Sequence, residues 1–190
     1  MPTVFFVTHP EVAVDPSVPV PRWGLSPRGR ERMAAYARTP EVARLASVWS
    51  SAETKAVEAA AILADPLGLS PGIDEDLHEN DRSATGFLPP PEFEQVANAF
   101  FASPEESVRG WERAIDAQAR VAAAVERVLA ASPAGDVAIV AHGGVGTLLL
   151  CRLLGEPIDR GRDQPFQGHV FAFDKASRRV LHPWRSIAPR

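Results

Sequence analysis

Thr3–Pro10 reads TVFFVTHP, and the order of those eight residues decides the fold. Val4, Phe5, Phe6 and Val7 form an unbroken apolar run. A half-exposed strand would alternate apolar with polar residues, so this run predicts a central strand covered on both faces. Pro10 has no backbone N–H and cannot continue a ladder, which leaves His9 on the strand's C-terminal lip. Val137–His142, VAIVAH, repeats the design and is followed at once by Gly143 and Gly144. In open α/β sheets the ligand crevice lies beyond the carboxyl ends of the strands. Two central strands that each end in an imidazole therefore predict two histidines facing one site.

The segments between these strands fill in the layers. The stretch after His9, EVAVDPSVPVPRWG, carries three prolines and reads as an extended loop. Ser26 and Pro27 supply an N-cap and a first-turn proline for a helix through RGRERMAAYAR. Glu41–Ala46 reads as a short helix, Ser47–Ser50 as a second strand, and Ser51 as the cap of a helix over AETKAVEAAAILA. Gly72–Leu77 reads as a further strand, with Glu79 just past its end. Phe93–Ala102 predicts a short helix. Ser103 with Glu106 fits a capping box, and Ser107–Ala131 predicts one long amphipathic helix with Trp111, Ile115, Val121, Val125 and Leu129 inward. Gly144–Leu154 predicts a helix, and His169–Asp174 with Arg179–Trp184 a closing hairpin around Lys175–Ser177. Alternating strands and helices give an α/β three-layer sandwich, with a mainly parallel central sheet and helices on both faces. The expectation is a single domain over residues 1–190 with a lid at about 81–107.

Composition excludes several function classes. The formal charge of −4 over 190 residues argues against a general nucleic-acid binder. Cys151, the single cysteine, sits in TLLLCRLLG and reads as a small buried helix residue. No leader or membrane-spanning segment is legible, because Arg152 interrupts the LLLCRLL run far short of spanning length. The expectation is a soluble cytoplasmic protein with neither membrane nor nucleic-acid partner; the sequence leaves the oligomeric state open.

Two motif matches carry no chemistry. Gly68-Leu69-Ser70-Pro71-Gly72 fits GxSxG, but a helix precedes Ser70 where a nucleophile elbow needs a strand, and Pro71 removes an oxyanion-hole N–H. Gly143-Gly144-Val145-Gly146 lacks the third spaced glycine of a dinucleotide fingerprint. No HExxH or paired-cysteine spacing points to a metal.

What remains at the carboxyl ends of the strands is His9, the Ser50/Ser51/Lys55 group, Glu79, and His142 at a helix start. Lys55 lies in the first turn of its helix, where the dipole disfavours a cation and a nearby anion would favour it. A neutral imidazole can attack an electrophile, a cation and helix N–H groups can hold an anion, and a carboxylic acid can protonate a leaving oxygen. Phosphoryl transfer uses those parts.

In order along nearly the whole chain, these landmarks resemble the histidine phosphatase superfamily, the phosphoglycerate mutase-like fold. VFFVTHP stands where that family has an apolar strand ending in Arg-His-Gly, and LSPRGRERM is similar to its Leu-Thr-x-x-Gly helix start. SSAETKAVEAA resembles its Ser-Ser-x-x-x-Arg-Ala stretch, LHEND its Leu-x-Glu segment, and VAIVAHGG its second histidine strand. The resemblance implies a metal-independent phosphomonoester hydrolase without cofactor, acting on a small phosphorylated molecule. It implies His9 as the nucleophile of a phosphohistidine intermediate, Glu79 as general acid and then base, and His142 as a holder of the phosphoryl oxygens. Thr8, Lys55, Gly143 and Arg22 are the expected phosphate-binding residues. Thr8 and Lys55 stand where the family has arginines, and either Arg22 or Arg82 could replace the missing cation. Threonine offers one neutral donor in place of a charged fork, and lysine keeps charge but not planarity. Losing such a preorganised donor costs about 10²–10³ in rate.

The lid predicts the leaving group. Between Ser83 and Val108 there is no lysine or arginine, while Phe87, Leu88, Phe93, Phe100 and Phe101 are apolar. That lining disfavours a second phosphate, and so a phosphoglycerate mutase, and favours an uncharged or partly apolar leaving group. The alternative reading is a catalytically degenerate phosphate-binding or interaction domain.

Overall fold

The computed structural model describes residues 1–189. Six strands form one mixed sheet: β1 (Thr3–Thr8), β2 (Leu45–Ser50), β3 (Gly72–Ile73), β4 (Asp136–Ala141), β5 (His169–Asp174) and β6 (Val180–Ser186). Their order is β3-β2-β4-β1-β5-β6. The pairs from β3 through β1 are parallel, whereas β5 runs antiparallel to β1 and β6 antiparallel to β5. The helices are α1 (Pro27–Tyr36), α2 (Thr54–Ala64), α3 (Pro90–Ala102), α4 (Ala114–Ala131) and α5 (Gly143–Leu154).

The two-residue period of a strand explains the layers. Val4, Phe6, Val137, Ile139, Phe171 and Phe173 point into a core shared with α3, α4 and α5. Phe5, Val7, Ala138, Val140, Val170 and Ala172 point into a second core shared with α1 and α2. A sheet covered on both faces needs apolar residues at every position, and β1 and β4 supply them. Fully burying each Val or Phe contributes roughly 1.5–3 kcal/mol, so burial on both faces anchors the strands that carry the two histidines.

Several elements differ from the sequence reading. The short helix expected over 41–46 shrinks to a 3₁₀ turn at Val42–Arg44, and β2 starts at Leu45. β3 keeps only Gly72–Ile73, because Asp74 turns the chain by accepting from the Asp76 N–H, and a 3₁₀ turn follows over Glu75–Leu77. Glu79 therefore follows a turn and not a strand. Glu53, and not Ser51, occupies the N-cap position of α2, since the Ser51 hydroxyl is engaged elsewhere. α3 begins at Pro90, a proline at the first helical position being favourable. The long helix expected from Ser107 starts only at Ala114: Arg109 has φ 52° and Ser103 ends α3 instead of capping a new helix. Trp111, Val121, Val125 and Leu129 are buried as expected, but Ile115 is exposed.

Other expectations match. Ser26 Oγ accepts from the Gly29 N–H with Pro27 at the first helical position. Gly29 also permits a close approach, since a Cβ there would lie 2.2 Å from the Glu11 carbonyl oxygen. The Ser26 N–H donates to that same oxygen, so the loop after His9 is pinned against the start of α1. Cys151 is buried and free in α5. Among the described residues no helix is long and apolar enough to cross a membrane.

Candidate active site

Parallel pairing of β1 with β4 runs from Val4 opposite Val137 to Thr8 opposite Ala141, so His9 and His142 are the next residues on each strand. The His9 N–H donates to the Ala141 carbonyl at 3.1 Å. The two imidazoles meet edge to face, with centroids 5.3 Å apart.

His9 Nδ1 lies 2.9 Å from the Pro10 carbonyl oxygen. A carbonyl only accepts, so Nδ1 carries the proton and Nε2 the lone pair in the neutral ring. Burial, with His142 and Lys55 alongside, pulls the His9 pKa down to about 3. At neutral pH His9 is an uncharged imidazole with a free Nε2 lone pair, the form a nucleophile needs.

His142 is fully buried at the start of α5. Its Nε2 lies 2.7 Å from Ser51 Oγ and 3.4 Å from Glu53 Oε1. Its Nδ1 is buried without a hydrogen-bond partner among the described residues. Burial pushes its pKa below the ordinary value, against Glu53 and Glu79, which favour the imidazolium.

Glu79 sits on the N-terminus of α5. Its Oε2 accepts from the Gly144 N–H at 3.0 Å, while its Oε1 accepts from Val145 at 2.9 Å and from Asn80 at 3.0 Å. Helix N-termini hold anions in this way. Burial would raise the Glu79 pKa, but Arg82, His142 and the N–H donors outweigh it, and the net shift is downward. The carboxyl is thus an anion at neutral pH, whereas a general acid must carry a proton.

Lys55 is buried against its own helix start. It forms an ion pair with Glu53 Oε2 and donates to the Val20 carbonyl at 2.9 Å. Glu53, which the sequence reading passed over, also accepts the Glu79 N–H at 3.0 Å through Oε1. Burial raises the Glu53 carboxyl, but His142 and Lys55 pull it down to about 2.

Thr8 is fully buried with its hydroxyl committed. Oγ1 accepts from the His169 N–H at 2.9 Å and donates to Gln164 Oε1 at 2.6 Å. Gln164 then lies over Gly143, where a Cβ would come within 2.4 Å of its Nε2. Gln164 was not legible beforehand, because it sits in a loop 156 residues from Thr8. Of the two candidate replacement cations, Arg82 contacts Glu79, while Arg22 ends the Val20–Arg22 turn whose Val20 carbonyl accepts from Lys55. The Arg82 guanidinium is 3.9 Å from Glu79 Oε2 and stacks over Phe93 and Trp111 at 5.2 and 5.6 Å. Arg22 is exposed, and its side chain makes no hydrogen bond or ion pair among the described residues. The structure therefore groups His9, Glu79, His142, Lys55 and Gly143, binds the Thr8 hydroxyl to Gln164, and sets Arg22 on the turn next to Lys55.

Residues 19–179 match the sequence model of the histidine phosphatase superfamily, branch 1. That range takes in Lys55, Glu79 and His142, and starts after His9. No curated protein sequence matches the chain significantly. Among solved structures, YhfR of Bacillus stearothermophilus superposes with a TM-score of 0.80 at 22% identity, covering 96% of this chain and 95% of that one. The native mycobacterial glucosyl-3-phosphoglycerate phosphatase gives 0.79 at 21% identity, over 98% of this chain and 99% of that one. A putative α-ribazole-5′-P phosphatase of Escherichia coli gives 0.76 at 18% identity, over 99% and 98%. At these identities the likeness shows the fold.

Proposed function

The chain belongs to the histidine phosphatase superfamily, branch 1, and from that premise we propose that it is a phosphomonoester hydrolase working through a phosphohistidine. The observation that carries the proposal is the His9–His142 pair at 5.3 Å, with His9 Nδ1 held by the Pro10 carbonyl. His9 Nε2 attacks phosphorus while the bond to the leaving oxygen breaks and Glu79 protonates that oxygen. The ionised Glu79 then takes a proton from water, which attacks the phosphohistidine and releases inorganic phosphate with neutral His9. His142 Nδ1 and the Gly143 N–H face the transferring oxygens, and Lys55 and Arg82 supply positive potential. A dianionic substrate beside Glu79 favours its protonated form, the direction attack requires.

The substrate is a small phosphorylated molecule. The phosphatases that share the fold are described as acting on glucosyl-3-phosphoglycerate and on α-ribazole-5′-P. In this chain Trp23 meets Phe87 at 5.5 Å, and Arg82 lies over Phe93 and Trp111. An uncharged or partly apolar leaving group suits such walls, and a second phosphate does not, which argues against a phosphoglycerate mutase. We read residues 1–190 as one domain, with the segment at about 81–107 as its cap.

A second reading, a phosphate-binding or interaction domain without turnover, is favoured by one feature: the pocket's charges are internally paired. Lys55 is bound to Glu53, and Arg82 lies beside Glu79. Phosphate release from a panel of phosphomonoesters in the presence of EDTA, wild type against His9→Ala, separates the two. Turnover lost in the variant supports the hydrolase. An intact wild-type protein that binds phosphate without turning over any ester supports the second reading.

A further inference from the structure

We propose that Glu53 is a positioning residue that fixes how His142 and Lys55 face the phosphoryl group, an inference that rests on the hydrolase reading only for its catalytic consequence. Glu53 sits at the start of α2, and its two oxygens serve three neighbours. Oε2 pairs with Lys55, and Oε1 accepts the Glu79 N–H at 3.0 Å and lies 3.4 Å from His142 Nε2. It thus joins α2, the turn that carries Glu79, and the start of α5.

Neutral His142 takes a definite tautomer under this proposal, with the proton on Nε2. Nε2 faces Ser51 Oγ and the Glu53 carboxylate. The Ser51 hydroxyl can donate or accept, whereas the carboxylate only accepts; in the proposal the Glu53 charge decides for a proton on Nε2, which leaves Nδ1, without a partner among the described residues, for a ligand. Nδ1 then becomes a donor to a phosphoryl oxygen only when His142 takes a second proton. The charged and titratable groups around His142 are His9, Glu53, Lys55, Glu79 and Arg82. Glu53 and Glu79 both favour the imidazolium, but Glu79 has its own partners on α5, and Glu53 is the carboxylate that lies against Nε2. The same carboxylate holds Lys55 against Val20 and sets how far its ammonium can reach into the pocket.

Long-range ¹H–¹⁵N correlation of ¹⁵N-histidine-labelled protein tests this directly. In the wild type, His142 is expected as the Nε2–H form at neutral pH, with its second protonation moved upward when orthovanadate or inorganic phosphate is added. In Glu53→Gln, which keeps the shape and removes the charge, the His142 pKa with the same anion is expected to fall by about one unit, roughly the effect of one close opposite charge. Glu53→Asp is expected to recover part of that shift. Wild-type His142 found as the Nδ1–H form overturns the proposal even if no variant folds, and so does an unchanged His142 pKa in a folded Glu53→Gln protein. The outcome is separable from that of the hydrolase reading. A wild type that turns over no ester while these shifts appear counts against hydrolysis and leaves the Glu53–His142 coupling standing. If esters are turned over, Glu53→Gln is expected to lower kcat about tenfold or more, whereas an unchanged kcat overturns the positioning role.

Discussion

The Oε2 oxygen of Glu79 accepts the N–H of Gly144 at 3.0 Å, so the side chain proposed as the proton donor rests on the amide end of the helix that His142 opens. This contact is possible only because residue 144 has no side chain: a Cβ there would lie 2.6 Å from Glu79 Oε1. Gly144→Ala is therefore expected to displace the carboxylate and lower kcat by about 10²-fold or more, the lower range for loss of a positioned acid. A steady-state assay on the folded variant checks this, and wild-type activity would show that the carboxylate need not stand there.

The pH dependence follows from the same contact. In the free protein Glu79 is shifted below its ordinary value of 4.5, and His9 stays neutral down to about 3. Attack needs Glu79 protonated and His9 neutral, so kcat/KM is expected to rise as pH falls from 7 and to decline again near 3. Correction for the substrate's own phosphate titration isolates the enzyme's groups. Glu79→Gln is expected to flatten the rise and cost about 10²–10⁴ in rate. A wild-type profile flat between pH 7 and 4 would exclude Glu79 as the acid.

Stability should also depend on pH, with a definite sign. His9 titrates near 6.5 when unfolded and about 3 when folded, so the unfolded chain binds more protons in between, and stability is lost as pH falls through that window. Glu53, depressed from 4.5 to about 2, adds stability that is complete above 4.5 and lost from there down to 2. Urea denaturation from pH 7 to 3 is expected to show a steady decline. His9→Asn should flatten its upper part and Glu53→Gln its lower part.

Thr8 is a structural hinge for Gln164 as much as a pocket residue. Thr8→Val keeps the shape but leaves the His169 N–H and Gln164 Oε1 without their partner. A cost of about 1–3 kcal/mol in denaturant titrations is expected. Thr8→Arg alone would force a guanidinium into a fully enclosed position and is expected to destabilise the protein. Thr8→Arg with Gln164→Ala should recover folding and raise activity if a missing cation limits the rate.

The two histidine strands were legible because burial on both faces demands an unbroken apolar run, and Pro10 and Gly143 mark where each run stops. The capped start of α1 and the closing hairpin were legible for similarly local reasons. The break before α4 was not, since it depends on Arg109 adopting φ 52° beside Gly110 at φ 82°, which the amphipathic pattern running through Trp111 masked. In the site, residue type placed His9, Glu79 and His142. Glu53 escaped because an acid at the start of a helix is favourable anywhere, and only tertiary contacts reveal its three partners. A trace of it was present in the sequence: a lysine in the first turn of a helix calls for a nearby anion, and Glu53 stands two residues before Lys55. Gln164 carried no such trace.

The most direct test of the account is to trap the intermediate. Wild-type protein mixed with a phosphomonoester it turns over, quenched in base within one turnover, is expected to carry phosphate that is stable to base, labile to acid, and located by peptide mapping at His9. His9→Asn, folded by its ¹⁵N spectrum, should carry none and release no phosphate. Turnover without any phosphorylated protein, or label at another residue, would contradict His9 as the nucleophile.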